Sequence, residues 1–104
     1  MNPLIDDYLV DISKSIYEAH WMLYRNGRIL VVHKDGIFVG VVTFSDIRKT
    51  YKHPNMSLRD VCNKNCFYIY GDDLDSAKLI FADNPKVKDI PILTKSKEVR
   101  GLLS

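Results

Sequence analysis

The chain has 104 residues, of which 46% are apolar and 27% charged, and this composition is typical of a single globular domain that buries its core without disulfides or metals. The formal net charge of +2 is too small to indicate nucleic-acid or membrane binding by itself, and no apolar run approaches the roughly 20 residues that span a bilayer. Residues Met1 to Asp7 lack the basic start and long apolar centre of a signal peptide, so we expect a cytoplasmic protein.

The beginning of the chain predicts a short strand and an amphipathic helix. Tyr8-Leu9-Val10 is long enough only for a short strand. Ser15 and Glu18 have the spacing of a capping box, in which each side chain satisfies a backbone N–H of the first helical turn. Asn26-Gly27 predicts the end of the helix, because glycine adopts the left-handed conformation at least cost. Apolar residues recur every three or four positions in between, which indicates one buried helix face, at Ile16, Ala19, Met22 and Leu23.

A hairpin follows, and it leads into a second helix. Two apolar runs, Ile29 to Val32 and Ile37 to Val42, flank Lys34-Asp35-Gly36. Asp-Gly between two β-branched runs is a strong hairpin signal, because glycine accepts the positive φ of the turn. After the second run we expect a helix over residues 45–51, which His53-Pro54-Asn55 ends.

Two short polar residues, Ser45 and Asp46, stand at the junction between this strand and this helix. Side chains of this kind cap a helix by accepting hydrogen bonds from its first backbone N–H groups. The same junction leaves N–H groups pointing outward, which is a natural site for an anion. Capping alone and ligand binding both remain open at this point.

The pattern then starts again in the second half of the chain. Ser57 to Val61 predicts a short capped helix, and Cys66 to Tyr70 predicts an aromatic strand. Asp73 predicts the start of a longer helix, which it caps as Ser15 caps the helix of the first half. Asp83-Asn84-Pro85 predicts the end of that helix. Its apolar face repeats that of the first helix, at Leu74, Ala77, Ile80 and Phe81. The remaining elements are a strand, a turn and a strand, at Ile90 to Leu93, Thr94 to Lys97 and Val99 to Ser104.

Equivalent positions of the two halves keep nearly constant separations. The separation is 58 residues in the helices and 61 in the strands, from the pairs Ala19/Ala77, Ile29/Ile90 and Gly40/Gly101. One three-residue insertion near Pro85 to Lys88 reconciles the two values. We therefore predict two repeats, about 5–53 and about 57–104, because a repeated helix–strand–strand unit is hard to obtain by chance.

The second repeat stops at Ser104, whereas the first continues from Thr43 into Asp46 and a helix. We expect that the chain was cut from a longer protein, because an apolar strand with no polar tail is a poor end for a domain. The alternative is that the last strand simply ends the fold.

The two cysteines, Cys62 and Cys66, are four positions apart with no histidine near them. This is a poor zinc signature, since zinc needs four well-placed ligands. The three histidines fall on three different predicted elements, at His20, His33 and His53. We therefore expect reduced, partly buried thiols and no metal site, with redox or metal chemistry as the alternative.

The two repeats resemble cystathionine-β-synthase-type (CBS) domains, and a tandem pair of these domains is the Bateman module. The first repeat carries the resemblance without gaps, from Ile29 to Gly36 and from Gly40 to Arg48. The second keeps Ile90 to Leu93 and Gly101 to Ser104, but it has Lys97 where glycine is usual. The resemblance implies an α+β fold of two β-α-β-β-α repeats, packed through their sheets with pseudo-two-fold symmetry, the second repeat lacking its final helix.

The resemblance also implies that an adenosine-containing ligand binds between the repeats: AMP, ADP, ATP or S-adenosylmethionine. By position, it implies that Asp46 holds the ribose hydroxyls and that Thr43 lies beside the ribose and phosphate. A carboxylate accepts two hydrogen bonds at once, which agrees with a ribose contact. Further candidates are a phosphate donor at Ser45, apolar walls for adenine at Val10, Ile29 and Leu30, and cations for the phosphates at Arg48, Lys49 and His53.

Each of these candidates has an alternative interpretation. The three apolar residues are also expected in the core, and Arg48 and Lys49 are also expected on a solvated helix face. The second repeat lacks a counterpart of Asp46, so at most one site of the usual kind is complete.

A regulatory module is the function that these observations favour. The sequence shows no nucleophile–base pair, no metal cluster and no pair of catalytic carboxylates, so we do not expect an enzyme. A ligand that bridges the repeats shifts their relative orientation and thereby controls an attached domain or a partner effector, with no cofactor required.

Two other functions stay open. Tyr17, Trp21 and Tyr24 share one face of the first helix, away from its apolar stripe, which favours a ligand-free module that pairs into a homodimer. Nucleic-acid binding through the basic residues at 48–53 is the weaker alternative, because a few cations on a short helix are typical of a solvated face.

Overall fold

The computed structural model describes residues 5–53 and 55–104, and each half of the chain builds one three-stranded sheet. The helices are α1 (Ile5–Tyr8), α2 (Ile16–Asn26), α3 (Phe44–Arg48), α4 (Leu58–Val61) and α5 (Leu74–Asp83), and a 3-10 turn, Lys49–Tyr51, follows α3. The strands are β1 (Leu9–Asp11), β2 (Leu30–Lys34), β3 (Ile37–Val42), β4 (Ile69–Tyr70), β5 (Ile90–Leu93) and β6 (Val99–Leu103). The α+β class that the sequence predicts is confirmed.

Helix α2 forms where the sequence predicts it. Ser15 Oγ accepts a hydrogen bond from the Glu18 backbone N–H at 3.1 Å. Gly27 ends the helix in the left-handed conformation, with φ 65°. Only one half of the predicted capping box forms, because the Glu18 carboxylate lies 3.7 Å from Lys14 Nζ instead. The predicted apolar stripe packs into the core, and two of its members are fully buried: Ala19 and Leu23.

The first hairpin has the predicted turn, since Asp35 and Gly36 both adopt positive φ, at 53° and 84°. Strand β1 pairs parallel to β2 and begins at Leu9, one residue later than predicted, because α1 extends to Tyr8. The sequence gives no periodic signal for α1, which has only four residues. The predicted helix at 45–51 is α3 followed by the 3-10 turn. Pro54, part of its predicted end, lies outside the described residues.

The second half repeats this arrangement with several differences. Strand β4 has two residues, fewer than predicted. Six residues, 84–89, join α5 to β5, whereas three residues, 27–29, join α2 to β2, so an insertion lies where the sequence predicts one. Leu74 on α5 is 53% exposed. In the first half, α3 covers part of α2, and the described part of the second half has no counterpart of α3.

The strand register corrects the predicted alignment by one residue in β5. Leu30 pairs with Val42, and Ile90 pairs with Leu103. Leu103 lies 61 residues after Val42, so Ile90 corresponds to Leu30, 60 residues earlier, and not to Ile29. The second hairpin turn is one residue longer than the first, which accounts for the shift. The predicted three-residue insertion near Pro85 to Lys88 is therefore two residues before β5 and one residue in the hairpin turn.

The two sheets meet where β3 and β6 begin. The Phe38 N–H donates to the Lys97 carbonyl at 2.8 Å, and the Val99 N–H donates to the Gly36 carbonyl at 3.1 Å. Residues 97 and 99 each lie 61 positions after 36 and 38, so a pseudo-two-fold rotation exchanges the two bonds. Lys97 occupies the glycine position of the turn and adopts φ 68°. The packing with pseudo-two-fold symmetry that the resemblance implies is therefore confirmed.

Among the residues that the structure describes, three clusters of buried side chains form the core. The largest lies in the first half, around Leu23, Leu30 and Ile47. A second joins the halves, because it contains Val31 of the first sheet and Leu102 of the second. The third fills the second half, around Ile69, Ala77 and Ile90. Among the helices that the structure describes, none combines the length and the apolar character needed to cross a bilayer.

Candidate functional site

A cleft of about 440 Å³ opens between the two halves of the chain, and we call it the main cleft. Three connecting segments line it, at 27–29, 65–67 and 86–89. The remaining lining residues are Val41, Thr43, Asn63 and Pro91. Clefts of this size commonly hold small-molecule ligands, with apolar walls and a few polar groups that fix the orientation.

Main-chain contacts fix the wall of the main cleft beside β3. The Val41 N–H donates to the Asn63 carbonyl at 3.0 Å, and the Asn63 N–H donates back to the Val41 carbonyl at 2.8 Å. The chain approaches so closely here that a Cβ on Gly40 would lie 2.4 Å from the Asn63 carbonyl oxygen and 2.6 Å from Cys62 Sγ. Glycine at position 40 therefore lets the segment that carries Asn63 and Asn65 lie on the sheet.

Charged side chains line the rim of the main cleft. Arg28 Nη1 lies 3.1 Å from Asp89 Oδ1. Ser104 Oγ donates to the same Asp89 oxygen at 2.7 Å and accepts a hydrogen bond from Arg28. Lys86 and Lys88 are exposed, and neither forms an ion pair with a side chain in the described part of the chain. Among the described residues, the rim therefore carries three cations and one carboxylate.

Thr43 and Asp46, the predicted ribose and phosphate residues, form a capping box at the start of α3. Asp46 Oδ2 accepts hydrogen bonds from the Thr43 N–H at 2.9 Å and from Thr43 Oγ1 at 3.0 Å. Lys49 Nζ lies 3.7 Å from the other carboxylate oxygen, Oδ1. Thr43 lines the main cleft, and Asp46 lies one hydrogen bond behind it. Oδ1 is therefore the Asp46 oxygen that retains capacity for a ribose hydroxyl.

The other predicted site residues fall into three places. Ile29 lines the main cleft. Val10 and Leu30 are buried in the first-half core and do not line it. Ser45 and Arg48 are exposed on α3, and neither lines the main cleft. The roles of these residues in ligand binding stay predictions.

Sequence reasoning missed the contribution of the second half to the main cleft. Asn63, Asn65, Lys86 and Lys88 all line it. The available signal was the predicted insertion between α5 and β5, because this longer connection carries both lysines. The two asparagines gave no comparable signal, since their position depends on the close approach at Gly40.

Both cysteines belong to this region and are free thiols. Burial raises the pKa of the Cys62 thiol to about 11. Burial also raises the pKa of Cys66, which lines the main cleft. Within residues 5–53 and 55–104, no group of three or more His, Cys, Asp or Glu side chains is arranged to hold a metal ion.

A second cleft, of about 420 Å³, lies against α2, and we call it the helix-face cleft. It is bounded by α2, α3 and the 3-10 turn, and aromatic side chains dominate it. Trp21 contacts Tyr17 and Tyr24 edge-on, with ring centroids 6.2 and 5.8 Å apart. Tyr17, Tyr24 and Tyr51 are each about 70% exposed, at 71%, 69% and 72%. The aromatic face predicted for this helix is therefore present and uncovered.

Comparison with known proteins finds a matching family model and matching solved structures. The model of the CBS domain family matches residues 3–53. No curated protein matches the chain by sequence. Among solved structures, Staphylococcus aureus OpuCA superposes with a TM-score of 0.80 at 17% identity, over 93% of this chain and 84% of that one.

Two further solved structures contain adenosine compounds. The CBS domain pair of protein MJ0100, in complex with 5′-methylthioadenosine and S-adenosyl-L-methionine, has a TM-score of 0.76 at 18% identity, over 100% of this chain and 90% of that one. CBSX2 in complex with AMP has a TM-score of 0.78 at 19% identity, over 100% and 85% of the two chains. At these identities, the likeness is one of fold.

Proposed function

Since residues 3–53 belong to the CBS domain family and the whole chain has the fold of a CBS domain pair, we propose that this protein is a regulatory module that senses an adenosine-containing ligand. The observation that carries the proposal is the main cleft, which both halves of the chain build and which Thr43 lines. The ligand is AMP, ADP, ATP or S-adenosylmethionine. We take the two repeats to span about 5–53 and 57–104.

The chemistry of the main cleft supports an adenosine ligand. Ile29, Val87 and Pro91 offer apolar surface for the adenine ring. Thr43 offers a hydroxyl, and Asp46 behind it offers a carboxylate oxygen for the ribose. The amide side chains of Asn63 and Asn65 supply donors and acceptors on the opposite segment.

Signalling follows from the position of the main cleft between the two halves. A ligand that contacts both the 27–29 and the 86–89 segments favours one relative orientation of the halves over others. An attached domain or a partner effector then reads that orientation. We also propose a cytoplasmic location and a non-catalytic role.

Calorimetric titration with AMP, ADP, ATP and S-adenosylmethionine tests this function, with GMP as the control for the base. We expect at least one adenosine compound to bind and to raise the melting temperature, because a ligand at 100 times its Kd stabilises the folded state by about 2.7 kcal/mol. GMP is expected to bind more weakly. Absence of binding by all four adenosine compounds at millimolar concentration would contradict the proposal.

The second candidate function is a ligand-free homodimerisation module. The observation that favours it is the uncovered aromatic face of α2 and the helix-face cleft beside it, since aromatic residues are enriched at protein interfaces. Sedimentation velocity tests it with Trp21→Ala and the control Tyr70→Ala, an exposed aromatic on β4. A dimer that only Trp21→Ala dissociates supports this function, and a monomer at all concentrations contradicts it.

A further inference from the structure

The connection between α5 and β5 is the feature that distinguishes the two halves most clearly at the main cleft. This connection has six residues, 84–89, whereas the connection between α2 and β2 has three, 27–29. A hydrogen bond from the Val87 N–H to the Asn84 carbonyl at 2.9 Å closes a turn at its start. The longer connection brings Lys86 and Lys88 to the cleft.

These two lysines differ from the other cation of the main cleft. Arg28 is held by Asp89, whose side chain is 5% exposed and which also accepts a hydrogen bond from Ser104. Asp89 therefore compensates the charge of Arg28. Lys86 and Lys88 have no such carboxylate among the side chains that the structure describes. The lining residues thus sum to a formal charge of +2, and that excess is located on the 86–89 segment.

The cations at the end of α3, Arg48 and Lys49, lie away from the main cleft. Arg48 and Lys49 do not line the main cleft, and Lys49 lies 3.7 Å from Asp46 Oδ1. Phosphate recognition by these two residues, which the sequence suggested, therefore has less geometric support than recognition by Lys86 and Lys88. Exposed ammonium groups at the rim of a cleft attract an anion and donate charge-assisted hydrogen bonds to it.

We propose that Lys86 and Lys88 make the main cleft selective for phosphate-bearing adenosine compounds over neutral or cationic ones. This rests on the proposed function, and it narrows the ligand class of the same site. AMP carries a charge of about −2 near neutral pH, and ADP and ATP carry more. 5′-Methylthioadenosine is neutral, and S-adenosylmethionine has one carboxylate against an ammonium and a sulfonium. An uncompensated pair of lysines therefore favours the nucleotides and disfavours the sulfonium compound.

The test compares AMP with 5′-methylthioadenosine by calorimetry, on the unmodified chain and on the variant Lys86→Gln/Lys88→Gln. The double variant Lys78→Gln/Lys95→Gln removes the same charge from exposed positions that do not line the main cleft, and it controls for net charge. We expect AMP to bind more tightly than 5′-methylthioadenosine. Loss of both cleft lysines should weaken AMP binding by roughly tenfold or more and change 5′-methylthioadenosine binding less than about twofold.

Salt provides an independent measurement, because screening weakens the AMP interaction and leaves that of the neutral compound nearly unchanged. Equal affinities for AMP, 5′-methylthioadenosine and S-adenosylmethionine, with no effect of the lysine substitutions, would overturn the selectivity and leave the sensing function standing. If no adenosine compound binds at all, the sensing function fails and the selectivity fails with it. If the control double variant lost as much AMP affinity as the Lys86→Gln/Lys88→Gln variant, that result would also contradict the assignment to Lys86 and Lys88.

Discussion

Arg28 and Asp89 form an ion pair between the two halves of the chain, with Arg28 Nη1 3.1 Å from Asp89 Oδ1. Each residue lies in the connection that precedes a central strand, Arg28 before β2 and Asp89 before β5. Both line the main cleft. The pair therefore joins the two segments that a bridging ligand would contact.

The first prediction concerns this ion pair. Asp89→Asn should lower the free energy of unfolding by about 1–3 kcal/mol, because Arg28 and Ser104 lose the charged acceptor that they share. Asp72→Asn is the matched control, since the Asp72 pair with Arg100 is long, at 3.8 Å, and highly exposed. Urea unfolding measures both variants. Equal effects of the two substitutions would show that the Arg28–Asp89 pair does not hold the halves together.

The second prediction separates capping from ligand binding. Asp46→Ala removes the capping box of α3, and Asp60→Ala removes a similar box at α4, in which Asp60 accepts from the Ser57 N–H and hydroxyl at 2.9 and 3.2 Å. We expect both variants to lose stability. Only Asp46→Ala should raise the Kd for AMP, by roughly tenfold, because only Asp46 lies behind the main cleft. Calorimetry with AMP is the measurement, and an unchanged Kd in Asp46→Ala would remove Asp46 from the site.

The third prediction concerns the close approach at Gly40. Gly40→Ala should destabilise the protein by about 1–3 kcal/mol, because its Cβ would overlap the Asn63 carbonyl and force the chain off the sheet. Gly101→Ala occupies the equivalent strand position, and its Cβ would meet only ordinary contacts, the nearest at 3.7 Å. Thermal unfolding should therefore show a much smaller change for Gly101→Ala. Similar changes in both variants would contradict the packing described at Asn63.

The fourth prediction uses the two thiols as probes of the main cleft. At pH 8 the Cys62 thiol, with a pKa of about 11, is almost entirely protonated, and its side chain is buried. Cys66 is only half-buried and lines the main cleft, so iodoacetamide should modify it first. Modification of Cys62 should accelerate as the pH rises toward 11.

Bound AMP should slow the alkylation of Cys66, because the ligand covers the wall that carries this thiol. Peptide mass spectrometry after timed alkylation measures the rate at each cysteine separately. Alkylation of Cys62 in the same samples is the internal control for unfolding. A Cys66 rate that saturating AMP leaves unchanged would argue against a ligand in the main cleft.

The fold could largely be predicted from the sequence, because its signals are local. The Asp-Gly turn, the Ser15 and Asp73 caps and the repeated apolar stripe each act within a few residues of chain. The insertion was also visible as a change in the separation of the repeats. The one-residue shift at Ile90 could not be seen in the sequence, because it depends on which residue of β6 pairs with Ile90.

The candidate site was less predictable, because it is built from segments that are distant in sequence. Thr43 and Ile29 line the main cleft as the family pattern implies. Val10 and Leu30 have the same apolar character as Ile29, and only packing distinguishes a core position from a cleft wall. In the sequence, Lys86 and Lys88 are indistinguishable from ordinary surface lysines. Only the fold shows that the 86–89 and 27–29 segments line the same cleft.

The central claim is that an adenosine nucleotide binds in the main cleft, and amide chemical-shift mapping of the isotope-labelled chain during AMP titration tests it most directly. We predict saturable shifts in the amides of residues 27–29, 65–67 and 86–89, which line the cleft. The amides around the helix-face cleft, such as those of Tyr17 and Trp21, should move little. Shifts confined to the helix-face cleft, or no shifts at millimolar AMP, would contradict the claim.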